Sequence, residues 1–199
     1  VRTGMHTVGL PGEKKGLHPE DPTLANLLKG LGYTTGQFGK NHLGDLNEYL
    51  PTNRGFDEYW GWLYHLNAME YTVDPDWPDT DEFNNQYSPR NVIHAYATDK
   101  DQNKVDERWG PRGKQRIEDD GPAPPERQKS LDDEVTKHTL SFIKRAVKDE
   151  EPFFVWMAPA RAHVWTYLKP EYEKQLGNGK GLQDIIMKEL DDNVGKVLA

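Results

Sequence analysis

The apolar positions of this sequence follow a helical spacing in several stretches. The first is a set of leucines at positions i, i+3, i+4 and i+7: Leu24, Leu27, Leu28 and Leu31. This spacing predicts a short amphipathic helix with one apolar side. Asp21 stands where a capping residue is expected, Pro22 suits the first helical position, and Gly32 is a typical stop.

A longer helix is predicted after Ser130. Its apolar stripe consists of Leu131, Val135, Phe142 and Ala146, widened by Leu140, Ile143 and Val147. A further amphipathic helix is predicted over residues 182–198. Its apolar side carries Leu182, Ile185, Ile186, Leu190, Val194 and Val197.

Two stretches have the character of strands. Residues 33–38 follow the first helix and contain β-type side chains. Residues 153–158 form a continuous apolar run, which predicts a strand buried on both faces, as in a parallel sheet. The order helix, strand, excursion, helix, strand, helix is typical of an α/β protein with a mainly parallel sheet and flanking helices.

The periodicity disappears in an irregular excursion at about residues 74–128, where Pro, Asp, Asn and Gly punctuate the sequence. A stretch of that length is unusual in a compact domain unless it has a function or forms a lid. Aromatic residues such as Trp77 and Trp109 favour an ordered layer over disorder. The excursion is interpreted as a wall of a substrate pocket or as a cover over a sheet edge, and we favour the first role. Its acidic pairs lack the spacing of a calcium loop.

Composition narrows the possible classes of protein. The chain has 199 residues, enough for one domain or for a large part of a bigger one. A net charge of -8 argues against nucleic acid or an anionic membrane surface as a partner. No apolar run approaches the length of a membrane span. The absence of cysteine excludes disulfide and thiol chemistry within this chain.

Candidate chemistry lies in the segment Gly-Lys-Asn-His-Leu-Gly at residues 39–44, directly after the first predicted strand. Positions i and i+2 of an extended segment face the same way, so Lys40 and His42 can act on one target. A fixed cation beside an imidazole suits an oxyanion such as sulfate or phosphate, although two solvated side chains at a strand end remain an alternative. Arg161 and His163 follow the second predicted strand. Ligands collect past the carboxyl ends of parallel strands, where all four residues are expected.

The succession of these motifs resembles the formylglycine-dependent sulfatases, in particular their bacterial arylsulfatase branch. The motifs that carry the resemblance are Gly-Tyr-x-Thr, Gly-Lys-x-His-Leu-Gly, Pro-x-x-Arg-Gly-Phe-Asp and Arg-Ala-His. The resemblance runs over residues 1–199 and is strongest at 23–61 and 152–170. It implies an alkaline-phosphatase-like fold, of which residues 1–199 would be part of a single catalytic domain.

The resemblance also implies roles for the candidate residues. Lys40 resembles the family lysine that contacts the sulfate ester oxygens. His42 resembles the histidine that helps to expel sulfate from a covalent intermediate. His163 resembles the histidine that binds sulfate and protonates the leaving group. For Arg161 the resemblance implies either support of the site or contact with the substrate.

Two components implied by the resemblance have no counterpart in this chain. The nucleophile would be a formylglycine formed from cysteine, and the chain has no cysteine. The metal would be calcium, yet no motif matches its ligands, so we assign no metal ligand. The chain is therefore interpreted as an internal fragment of a sulfatase that acts on a sulfated small molecule or glycan. It is expected to be inactive by itself, and the resemblance suggests a periplasmic or secreted protein.

Two other classes remain open on the sequence alone. One is a phosphoryl-transfer enzyme of the alkaline phosphatase superfamily, which would use a Thr or Ser nucleophile and two metals. The other is a non-catalytic relative that binds anions or partners.

Overall fold

The computed structural model describes residue 7 and residues 9–199; residues 1–6 and 8 lie outside the described part. Its strands are β1 (Thr34–Gly39), β2 (Glu58–Gly61), β3 (Ile93–Ala97), β4 (Val105–Asp106), β5 (Gly110–Pro111), β6 (Gln115–Asp119) and β7 (Phe153–Ala158). Its helices are α1 (Leu24–Gly30), α2 (Asp81–Tyr87), α3 (Pro125–Gln128), α4 (Leu131–Lys148), α5 (Pro170–Glu173) and α6 (Leu182–Leu198). Short 3₁₀ segments lie at Asn47–Tyr49, Pro51–Asn53 and Leu66–Val73.

The main sheet has the strand order β6-β3-β2-β1-β7. Strand β1 pairs in parallel with both β2 and β7, while β3 and β6 continue the sheet beyond β2 by antiparallel pairing. The predicted α/β class with a parallel centre and flanking helices is confirmed. Gly39 lies opposite Ala158 in the register of β1 and β7, so both strands end at the same edge.

Helix α4 covers one face of this sheet, as its stripe predicts. Phe142 of α4 is buried and packs against Phe38 of β1, with ring centroids 5.5 Å apart. Trp60 of β2 is fully buried on the same face and stacks on His138 of α4. Burial of a side chain of this size contributes about 1.5–3 kcal/mol. Helix α4 therefore covers one side of the main hydrophobic core, which also includes Tyr59 and Ala95 on the opposite face of the sheet.

Helix α1 differs from its prediction in its cap and in the direction of its leucines. The cap is Thr23 and not Asp21, because the Thr23 hydroxyl accepts a hydrogen bond from the Asn26 amide at 3.0 Å. Ala25 is the buried residue of the helix. The leucine side is largely exposed: Leu24, Leu27 and Leu31 all face away from the core.

Strand β7 is an edge strand, and side chains on both of its faces are partly exposed. The prediction that it is buried on both faces is therefore wrong. The strand has a neighbour on one side only among the described residues. Phe153 is 37% exposed and Trp156 is 52% exposed. The continuous apolar run thus forms an open apolar border of the sheet.

The excursion at residues 74–128 is more regular than predicted. It contains α2, α3 and strands β3 to β6. Strands β3 and β6 are only five residues long, which makes their alternation hard to detect among turn residues. Their pairing beyond β2 places this part of the excursion along a sheet edge. Within the described residues, no helix is both long enough and apolar enough to cross a bilayer.

Candidate active site

Gly39 ends β1 and fixes the direction of the segment that follows. Its φ of 109° favours glycine, and a Cβ at this position would lie 1.9 Å from the carbonyl oxygen of Ala158. The Lys40 amide donates to that carbonyl at 2.9 Å, and the Asn41 amide donates to the carbonyl of Trp62 at 2.9 Å. The segment is therefore anchored to the last residue of β7 and to the residue that follows β2.

The structure brings Lys40 and His42 to one cavity of 350 Å³. Other residues that line it include Gln37, Asn41, Arg54, Phe56, Phe154 and Trp156. Among the described residues, no Asp or Glu lines this cavity. A cavity with cationic groups, amides and apolar walls, but without carboxylates, favours an anionic ligand.

The electrostatic state of the cavity follows from partial burial. Burial lowers the pKa of Lys40. Burial, together with the nearby Lys40 and His65, lowers the pKa of His42 to about 4, while a hydrogen bond with the Gly9 backbone acts in the opposite direction. His42 is therefore neutral at pH 7 and can accept a proton. Lys40 has no ion-pair partner among the residues that the structure describes, so a bound anion would compensate its charge.

Arg54 lines the same cavity, and the sequence prediction missed it. Its Nε donates to the Leu17 carbonyl at 3.2 Å, and Nη1 donates to the Asn53 carbonyl at 3.0 Å. Its Nη2 is buried without a hydrogen-bond partner in the described part of the chain. The signal was present in the Pro-x-x-Arg-Gly-Phe-Asp motif, to whose arginine we gave no role.

A buried network supports the loop that carries His42. The Asp45 carboxylate accepts hydrogen bonds from the Tyr64 hydroxyl at 2.5 Å and from the Gly12 amide at 2.8 Å. Arg90 donates to the Asp45 carbonyl at 2.7 Å. Burial raises the pKa of Asp45, while the hydrogen bond from Tyr64 opposes that shift. The network ties the loop to residues 9–13 and to the chain before β3.

His163 follows β7 at the same sheet edge, but it is not among the residues that line this cavity. Its Nδ1 lies 3.0 Å from the Trp165 amide nitrogen and 2.8 Å from the Trp165 carbonyl oxygen. Nε2 is therefore the ring nitrogen left for a ligand. The indole of Trp165 donates to Glu70 at 2.5 Å, which fixes this loop against the chain after β2.

Arg161 is placed differently from a substrate-binding residue. Its side chain is 0% exposed, and its Nε donates to Glu189 of α6 at 3.0 Å. Its Nη2 donates to the Tyr167 carbonyl at 2.8 Å, and its own amide donates to Asp132 at 3.0 Å. The expected contact between Arg161 and substrate does not fit this geometry, because the guanidinium is enclosed by protein partners. The geometry fits the alternative role, support of the loop that carries His163.

A path of rings leads from His42 to a larger cavity of 1140 Å³. Ring centroids are 5.9 Å apart for His42 and His65, 6.2 Å for His65 and Tyr71, and 6.1 Å for Tyr71 and Trp77. Tyr71 and Trp77 line the larger cavity together with Phe83, Tyr87 and Trp109. Part of the 74–128 excursion is therefore an aromatic wall of this larger cavity.

The described residues around Lys40 do not fit a calcium ion. Calcium takes six to eight oxygen ligands, mainly carboxylates and carbonyls. The described part of the chain holds one group of three potential metal-binding side chains, Glu58, His94 and His138. That group lies on the α4 face and contains two imidazoles, so it is not a calcium site.

Comparisons with known proteins agree with the geometry. The profile of a family described as Sulfatase matches residues 2–199. Arylsulfatase G of Homo sapiens is 28% identical over 200 residues, which cover 92% of this chain and 33% of that protein. N-acetylgalactosamine-6-sulfatase of Sus scrofa is 26% identical over 214 residues, which cover 100% of this chain and 34% of that protein. The chain spans about a third of the length of these curated relatives.

Solved structures show a similar fold. The PsFucS1 sulfatase from Pseudoalteromonas sp. superposes with a TM-score of 0.73 at 22% identity, over 100% of this chain and 38% of that one. Ps i-CgsB superposes with a TM-score of 0.65 at 21% identity, over 98% of this chain and 40% of that one. At these identities the likeness is one of fold.

Proposed function

The chain belongs to the sulfatase family, and on this premise we propose that the protein containing it hydrolyses sulfate esters. The observation that carries the proposal is the cavity shared by Lys40, His42 and Arg54. Its cationic groups lie beyond the carboxyl end of a parallel strand, where α/β sheets bind their ligands. A sulfate ester supplies the anionic oxygens that such a cavity favours.

Each residue has a distinct role in the proposed reaction. Lys40 and Arg54 neutralise charge on the sulfate oxygens, which is greatest as the ester bond breaks. His42, neutral at pH 7, can accept the proton that a hydroxyl group loses as it expels the sulfate. His163 offers Nε2 to the leaving oxygen, which must gain a proton as it departs. Arg161 holds the loop of His163 through its bonds to Glu189 and Asp132.

The nucleophile and the metal are proposed to come from outside the described residues. A formylglycine would supply the attacking oxygen, and calcium would neutralise sulfate charge. The chain has no cysteine, and the described cavity wall has no Asp or Glu. We therefore assign neither group to a residue of this chain, and we expect the chain by itself to be inactive.

The proposed substrate is a sulfated aryl compound or glycan. Relatives named arylsulfatase G and N-acetylgalactosamine-6-sulfatase support this class. The aromatic wall that contains Tyr71 and Trp77 offers flat apolar surface to a ring attached to the sulfate. Membership of the bacterial arylsulfatase branch and a periplasmic or secreted location are proposals that rest on the motifs.

An assay of the intact protein with an aryl sulfate and the matching aryl phosphate tests this function. We expect turnover of the sulfate, and a loss of about 100-fold or more in kcat/KM for Lys40→Met, since one charge-stabilising donor is worth about that much. Lys14→Met is the matched control, because Lys14 is exposed and does not line the cavity.

The same assay separates the alternatives. Turnover of the phosphate and not of the sulfate would identify a phosphoryl-transfer enzyme. Binding of both anions without turnover would identify a non-catalytic relative. Equal activity of Lys40→Met and Lys14→Met would contradict the assignment of the cavity.

A further inference from the structure

Glu58, His94 and His138 bring three metal-binding side chains together on the α4 face. Their candidate ligand atoms all lie within 4.8 Å of one another. Nε2 of His94 is 2.8 Å from Oε1 of Glu58, and the rings of His94 and His138 have centroids 5.0 Å apart. The three residues belong to β2, β3 and α4, so separate elements converge on one point.

The sheet register explains this convergence. Glu58 lies opposite Gly36 of β1, and Trp60 lies opposite His94 of β3. Side chains at positions i and i+2 of a strand, and those paired across strands, share one face of the sheet. His138 comes down from α4 and stacks on Trp60, with centroids 4.5 Å apart and an interplanar angle of 13°. The core therefore holds both imidazoles in place.

This ligand set has a recognisable chemistry. Two imidazoles and one carboxylate, with a further position open to water, are typical of three-ligand zinc sites. Glu58 is buried, with its side chain 8% exposed, and His94 and His138 are half-buried, so the three groups are partly shielded from water. We propose that Glu58, His94 and His138 bind a zinc ion, at a site separate from the cavity of Lys40 and His42.

The neighbouring side chains leave the metal-binding atoms of Glu58 and His94 available. Oε2 of Glu58 accepts a hydrogen bond from Arg145, which leaves Oε1 for the ion. The Tyr96 hydroxyl oxygen lies 3.1 Å from Nδ1 of His94 and can accept a hydrogen bond from Nδ1–H, which leaves the lone pair of Nε2 for zinc. The distance between Nε2 and Oε1 must open to roughly 3.3 Å, as two ligands at about 2.0 Å from a tetrahedral ion require.

One of the three residues also borders a surface cavity. Glu58 lines a surface cavity of 480 Å³ together with Tyr96, Phe142 and Arg145. The cavity of Lys40 and His42 is lined instead by Gln37, Phe154 and Trp156, which share the opposite face of the sheet. Zinc at the Glu58 site joins β2 and β3 to α4, and it acts on stability and not on sulfate chemistry.

Zinc binding to the intact protein tests the proposal. The protein is stripped of metal and then held in excess calcium, so that sites built from oxygen ligands are filled. Isothermal titration calorimetry is expected to show one zinc equivalent whose affinity falls at least about 100-fold in His138→Gln, because even an outer partner of a metal ligand is worth 10- to 100-fold. His18→Gln is the matched control, since His18 is exposed and does not belong to the cluster.

Two further measurements test the proposal even if the His138→Gln variant folds poorly. Arg145→Gln removes a competing cation from Oε2 and is expected to tighten zinc binding roughly tenfold. Cobalt(II) in place of zinc is expected to give the visible absorption of a tetrahedral site in the wild type and in Arg145→Gln. Absence of a zinc equivalent, or zinc binding unchanged in both His138→Gln and Arg145→Gln, would overturn the proposal.

Discussion

The α4 face of the central sheet and the β7 border of its opposite face differ in how far this chain covers them. On the α4 face, Phe38 and Trp60 are completely buried. On the opposite face, Trp156 of β7 is 52% exposed and Leu24 of α1 is 51% exposed, beside the cavity of Lys40 and His42. The α4 face thus provides packing within the chain, and the open face provides groups that a ligand can reach. Changes on the first face should alter stability, and changes on the second should alter chemistry.

The surroundings of two histidines, one on each face, show the same contrast. His138 on the α4 face and His42 on the open face both have a pKa of about 4, and burial is the main cause in each case. His138 is stacked on Trp60 within the core, whereas His42 stands beside the cation Lys40 in an open cavity. An anion can therefore change the surroundings of His42 and cannot change those of His138.

The largest expected effect is the difference in lost stability between alanine substitutions of two tryptophans. Trp60→Ala should lower the free energy of unfolding by about 3–5 kcal/mol, since it leaves a large cavity in a closed core. Trp156→Ala should lower it by less than about 1 kcal/mol, because half of that side chain is already in water. Denaturant midpoints of the intact protein measure both. Equal losses would remove the distinction between the faces.

The next effect is kinetic and concerns His163. His163→Ala should lower kcat by about 100- to 10,000-fold and change KM much less, because proton donation to the leaving oxygen matters in the transition state. Steady-state kinetics with a poorly activated aryl sulfate measure this split. The matched control is His18→Ala at an exposed histidine. An unchanged kcat would show that His163 takes no part in the reaction.

A smaller loss of stability is expected from a change in the buried hydrogen-bond network that supports the loop of His42. Tyr64→Phe removes the hydroxyl that donates to Asp45 at 2.5 Å and should cost about 1–3 kcal/mol of stability, because Asp45 loses a buried partner. The loop of His42 should loosen with it. Hydrogen exchange at the amides of residues 40–45 checks this result, with Tyr33→Phe as a control. Unchanged exchange would mean that other contacts hold the loop.

The parts that the sequence predicted are those that depend on local pattern. Strand β1 follows from its β-type side chains, helix α4 follows from the spacing of apolar residues, and the segment 39–44 follows from a short motif. Lys40 and His42 share a cavity because they lie only two positions apart in that segment. The edge position of β7 and the exposure of Leu24 depend on which elements pack nearby, and spacing does not contain that information.

The same reason explains what the sequence could not show about individual residues. Arg161 looked like a candidate for substrate contact, but its partner Glu189 lies 28 positions away in α6. His94 and Glu58 meet across 36 positions, through a strand pairing that the irregular excursion concealed. Arg54 was part of a recognised motif, yet its unpartnered Nη2 becomes evident only in the folded chain.

The central claim is that the open face holds the sulfate group beside Lys40 and His42. Proton NMR titration of the histidine rings of the intact protein, with and without sulfate, tests it most directly. A bound dianion favours the imidazolium form, so sulfate should raise the pKa of His42 from about 4 towards its usual value, by about one unit or more. By linkage, sulfate should bind more tightly as the pH falls through that range. The pKa of His138 should stay where it is. A His42 pKa that does not respond to sulfate, or an equal response of His42 and His138, would contradict the account.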